Sequence, residues 1–66
     1  MSFAENLKLI RTEKGISQSE LANSVGISQP MIAQYEMGIK FPNIVIGVEL
    51  AKTLGTTAEK LVCDKE

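Results

Sequence analysis

Histidine and tryptophan are absent from this 66-residue chain, and cysteine occurs once. A single thiol, Cys63, excludes an intrachain disulfide, and one Cys without His cannot build a Cys/His zinc site. Lacking His, the chain has no side chain that ordinarily exchanges protons near neutral pH. Cys63 lies beside Asp64 with no imidazole or helix N-terminus to activate it. Catalysis is not expected, and neither a metal nor a cofactor is implied. The absence of paired cysteines fits a reducing, cytoplasmic setting. Long apolar runs are missing too. The longest uncharged apolar run, Ile44-Val45-Ile46-Gly47-Val48, falls far short of the roughly 20 residues a spanning helix needs. Residues 1–6 have no basic region and no uninterrupted apolar segment, so a signal peptide is not expected.

The length allows one domain, residues 1–66, burying only about 60% of the unfolded chain's surface. With disulfides and zinc excluded, economical packing or a partner chain must stabilise it. Seven Lys+Arg against eight Asp+Glu give a net charge of −1. Taken alone, that balance argues against a nucleic-acid partner, because phosphate neutralisation drives most such affinity.

What the chain has is regular punctuation. Glycines stand at 15, 26, 38, 47 and 55, and all but Gly47 follow a helix-period segment that a glycine can close. Each next segment opens with a hydroxyl or amide side chain suited to an N-cap. Ser2 with Glu5 forms a capping box for a first helix whose stripe is Phe3, Leu7 and Ile10. Ser17 with Glu20 forms a second box, with Ile16 and Leu21 as a hydrophobic staple, and Leu21, Ala22 and Val25 give that helix its inner face. Ser28 caps a third helix with Pro30 in its first turn, where a missing N–H costs nothing. Pro42 keeps Phe41 out of the helical region. Asn43 caps a fourth helix ending at Gly55, and Thr56 or Thr57 caps a short fifth reaching about Val62. Residues 63–66 are expected to fray. No stretch alternates with period two over four or more residues, so the fold class is all-α, five short helices around one core.

The second and third helices, joined across Val25-Gly26-Ile27-Ser28, have helix-turn-helix spacing over about 18–37. Ala22 is small where the helices cross, Gly26 suits the turn, and Leu21, Val25, Ile27 and Ile32 supply the packing. With these residues, and with Leu7-Lys8-Leu9-Ile10-Arg11, Gly15 to Ala22, Ile32 to Gly38, Pro42 and Leu50 to Gly55, the chain resembles the XRE family. These are the Cro and lambda-repressor-like helix-turn-helix domains of phage and bacterial transcription regulators. The matching stretch runs from Leu7 to Leu61. The resemblance implies a compact five-helix DNA-binding domain, usually a homodimer on a palindromic operator. A protein-interaction module reusing the fold is the alternative from another class. Within the class, a restriction-modification controller or an antitoxin component stands beside a Cro-like repressor.

At 100° per residue, Met31, Ile32 and Tyr35 share the core side of the third helix. The opposite arc carries Gln29, Pro30, Ala33, Gln34 and Met37 and no carboxylate. Gln can bond an adenine edge through N6 and N7 in the major groove, and small apolar Pro30 and Ala33 suit thymine methyls or close approach. The family's base-contacting positions coincide with Gln29, Ala33 and Gln34, so an A/T-containing half-site is expected. By the same resemblance Gln18 binds a phosphate and buttresses Gln29, and Lys40 meets the sugar-phosphate backbone. The Ser17 and Ser28 ends offer helix N-termini to anions. The resemblance also makes Arg11 and Glu36 a structural ion pair rather than a catalytic couple. It departs from the family at Gly47, where a leucine is usual, and in the valines around it. Val45, Val48, Leu61 and Val62 are therefore candidates for a dimer interface; the alternative is that the valines fill the core space left by Gly47. No small-molecule ligand and no membrane partner are expected.

Overall fold

The computed structural model describes residues 2–62. Cys63 and the tail expected to fray lie outside the described residues. Five helices follow in order: α1 (Phe3–Glu13), α2 (Gln18–Val25), α3 (Gln29–Glu36), α4 (Ile44–Leu54) and α5 (Ala58–Val62), with no strand among the described residues.

The helix starts are set by local chemistry. Ser2 accepts the Glu5 N–H while Glu5 accepts the Ser2 N–H, and Ser17 and Glu20 repeat the exchange for α2. Ser28 and Asn43 cap α3 and α4 by accepting from Met31 and Ile46. Of the two threonines before α5, Thr57 is the cap, its hydroxyl accepting from the Lys60 N–H at 3.1 Å. Such caps each contribute about 1 kcal/mol by satisfying otherwise orphaned donors. Between α2 and α3 the chain reverses at Gly26, whose φ of 84° lies in the left-handed region. A Cβ there would meet no atom within 4 Å, so the requirement is for backbone conformation, not space.

α2 packs on α3 and α4, while α1 crosses α3 and α5, and α4 closes against α5. Leu7, Leu21, Ile32, Leu50, Leu54 and Leu61 are the largest fully buried side chains, with Phe3, Ala22, Tyr35 and Ala51 around them. Burying each of the larger ones contributes about 2 kcal/mol. Ala22 is 1% exposed, so the close crossing of α2 leaves no room for a longer side chain.

The C-terminal part corrects two expectations. Leu61 is 1% exposed and belongs to the core. Its carbonyl accepts the Asn6 amide at 2.9 Å, so it is not available to an interface. The valines of α4 do not fill the core: Val45 is 67% exposed and Val48 38%, and a Cβ at Gly47 would face open space. Ile44, on the apolar arc by helical spacing, is exposed as well, because it sits in the first turn at the mouth of a groove. That groove, about 440 Å³, is lined by Phe3, Phe41, Pro42, Ile44, Gly47, Ala58, Leu61 and Val62, with Glu59 at its edge. The rings of Phe3 and Phe41 meet in it with centroids 5.7 Å apart. Among the described residues no helix is long and apolar enough to cross a membrane.

Candidate nucleic-acid interface

The short turn at Gly26 brings the starts of α2 and α3 side by side. Gln18 is the first residue of α2 and Gln29 the first of α3. The Gln29 Nε2 donates to Gln18 Oε1 at 2.8 Å. Gln29 is exposed and Gln18 half-buried, so the pair forms a polar lip above the helix crossing. Beyond it, Pro30 and Met37 are exposed and Ala33 and Gln34 half-buried, whereas Ile32 and Tyr35 turn into the core. α3 therefore presents one uncharged, amide-bearing side outward. Lys40 is exposed in the loop after α3.

The two helix N-termini differ electrostatically. Ser17 and Ser28 are both exposed caps. At α2, however, Glu20 folds its carboxylate back onto the Ser17 N–H at 2.8 Å, so the positive end of that helix already holds an anion. The first turn of α3 contains no acidic residue. Its N-terminus is the more open of the two to an anionic partner.

Behind the lip lies an ion pair. Arg11 Nε donates to Glu36 Oε2 at 2.5 Å and its Nη2 to Glu36 Oε1 at 3.0 Å, while Nη1 donates to the Ile16 carbonyl at 2.8 Å. The side chains of Arg11 and Glu36 are 11% and 3% exposed. The hydrogen bond to Glu36 holds the Arg11 pKa above its ordinary value, burial opposes that rise, and the charge of Glu36 adds to it. Planar, bidentate contact of this kind fixes α1 to α3 in one register. Burial raises the Tyr35 pKa, since a phenolate is costly in the core.

Sequence reasoning placed Glu36 only against Arg11. In the structure it also accepts from Gln18 Nε2 at 3.0 Å, linking the ion pair to the glutamine lip. That link joins α2 to α3, and spacing along α3 alone carries no signal for it. Asn6 was missed too. It stands three residues after Phe3 on the α1 stripe, where a polar side chain signals a buried hydrogen bond.

This arrangement defines the class: a five-helix domain whose helix-turn-helix exposes the first turn of its second member. The helix-turn-helix family model matches residues 7–61. The chain belongs to the helix-turn-helix family of XRE type. Its relatives include the cryptic phage CTXphi transcriptional repressor RstR of Vibrio cholerae, 31% identical over 64 residues and covering 97% of this chain. An SPbeta prophage-derived HTH-type transcriptional regulator of Bacillus subtilis, YonR, is 35% identical over 60 residues and covers 91% of this chain. The chain spans 58% and 56% of the lengths of these two proteins. Among solved structures, the P22 c2 repressor in complex with a synthetic operator superposes with a TM-score of 0.93 at 26% identity, covering 98% of both chains. The restriction-modification controller C.AhdI of Aeromonas hydrophila gives a TM-score of 0.85 at 30% identity, with 89% of each chain covered.

Proposed function

We propose that this chain is a sequence-specific, double-stranded-DNA-binding transcription regulator with no catalytic activity. α3 enters the major groove and acts from a homodimer on a palindromic operator. The observation that carries the reading is the Gln18–Gln29 pair at the joined helix starts, on a fold shared with an operator-bound repressor. Gln29 and Gln34 read base edges, with Pro30, Ala33 and Met37 in apolar contact beside them. Gln18, Lys40 and the Ser28 helix end meet the phosphate backbone, while Glu20 already occupies the Ser17 end. Two α3 helices would then lie about 34 Å apart in successive grooves. Val45, Val48 and Val62, all exposed, are the interface residues retained for the dimer.

Selection from a randomised duplex pool, followed by footprinting upstream of the chain's own gene, tests the reading. Gln29→Ala combined with Gln34→Ala should abolish the enriched sequence while leaving weak, sequence-independent binding. Retention of full sequence preference by the double variant would remove the base-reading role. Dimerisation is tested separately by sedimentation of a Val45→Glu, Val48→Glu variant, where an unchanged mass would eliminate this interface.

A further inference from the structure

The hydrogen bonds behind Gln29 run in one direction, and a carboxylate sets that direction. Glu36 is paired with Arg11 through both oxygens, and an ionised carboxylate has only acceptors to offer. The amide that meets it must therefore turn its NH2 inward, as Gln18 does with Nε2 at 3.0 Å from Glu36 Oε1. Gln18 is then left with its carbonyl facing Gln29, and only an N–H can approach it, which Gln29 supplies at 2.8 Å. Reversing either amide would set two carbonyls or two NH2 groups against each other.

The outcome is an amide with one N–H committed, one N–H free and its carbonyl free. That free pair matches adenine, which offers the N6 amino donor and the N7 acceptor on its major-groove edge. Guanine offers two acceptors there, N7 and O6. An unanchored glutamine can turn its NH2 to serve both. Gln29, with one N–H already held by Gln18, cannot do so without breaking the chain of bonds. We infer that Glu36 is a positioning residue for base recognition. Acting through Gln18, it fixes the donor–acceptor sense of Gln29 and with it the preference for adenine over guanine at the base Gln29 meets. This inference rests on α3 lying in the major groove.

The test is selection from a randomised duplex pool, read position by position, for four variants alongside the wild type. Gln29→Ala locates the base pair concerned. Glu36→Gln keeps the size of the side chain but lets residue 36 donate as well as accept. At that base pair it should lower the adenine-over-guanine preference about tenfold, with other positions unchanged. Gln18→Met leaves the Arg11–Glu36 pair intact and should produce the same local loss, so the test survives if Glu36→Gln does not fold. Arg11→Lys keeps the Glu36 carboxylate as an acceptor. It should lower the melting temperature while leaving the adenine preference in place, which a purely structural role for Glu36 would not give. Wild-type preference in both Glu36→Gln and Gln18→Met overturns the inference. A wild-type chain that enriches no sequence overturns the DNA-reading function itself, and this inference with it.

Discussion

Asn6 on α1 donates its side-chain amide to the backbone carbonyl of Leu61 on α5, across 55 positions of sequence. The bond is buried and lies beside the Leu61 side chain that closes the core. Asn6→Ala removes the donor and leaves a buried carbonyl without that partner, which costs about 2 kcal/mol. Urea unfolding measures the loss, and hydrogen exchange at the Leu61 amide should accelerate as α5 opens more often.

The Arg11–Glu36 pair gives a sharper result, because both members are desolvated. Glu36→Ala strands a buried guanidinium and should destabilise by about 3 kcal/mol. Arg11→Met with Glu36→Leu removes both charges and should recover most of that loss. Chemical denaturation of the single and double variants supplies the comparison. A double variant as unstable as the single one would mean that losing the bond from Arg11 to the Ile16 carbonyl costs as much as removing the stranded charge recovers.

Gly47 lies inside α4, and its Cβ would enter open space. Gly47→Ala should therefore stabilise the domain by about 1 kcal/mol, through helix propensity and a less mobile unfolded chain. A higher melting temperature is expected from calorimetry. A lower one would show that the groove floor is covered in solution by a second backbone.

Tyr35 is the single tyrosine of a chain without tryptophan, so near-ultraviolet absorbance follows its ionisation alone. Its pKa is raised above the ordinary 10.0, so above that value the unfolded chain holds fewer protons than the folded one. The contribution of Tyr35 to stability is accordingly present in full well below pH 10.0 and is lost as pH rises toward and through the folded-state pKa. The native phenol should titrate at higher pH than in denaturant, and Tyr35→Phe should shift alkaline unfolding upward.

Salt dependence tests the electrostatics of the proposed DNA face. α3 shows an uncharged side outward, and Glu20 occupies the start of α2. Few phosphate ion pairs per protomer follow, and a dimer should show a log–log slope of about −4. Fluorescence anisotropy titrations over a range of salt concentrations give the value. A much steeper slope would move the DNA face elsewhere on the molecule.

Much of this was legible in the residues, for definite reasons. Capping boxes at Ser2 and Ser17, the glycine at 26 and the apolar spacing of α1 to α3 are local signals, and local signals fix local structure. Outcomes that depend on contacts between distant segments were not legible. Leu61 read as an interface candidate because nothing nearby in sequence tells that α1 covers it. The Gln18–Glu36 bond likewise depends on how two helices cross, which spacing along either one does not specify.

The exposed apolar residues of α4 and the amide side of α3 stand on different helices, and ionic strength acts on them in opposite senses. Added salt competes for phosphates and weakens DNA binding, whereas a salting-out anion such as sulfate strengthens apolar association. In the proposed dimer the two properties are therefore separable without mutation. A sulfate titration would detach the protein from its operator while holding protomers together, leaving an assembled, DNA-free species to be weighed directly.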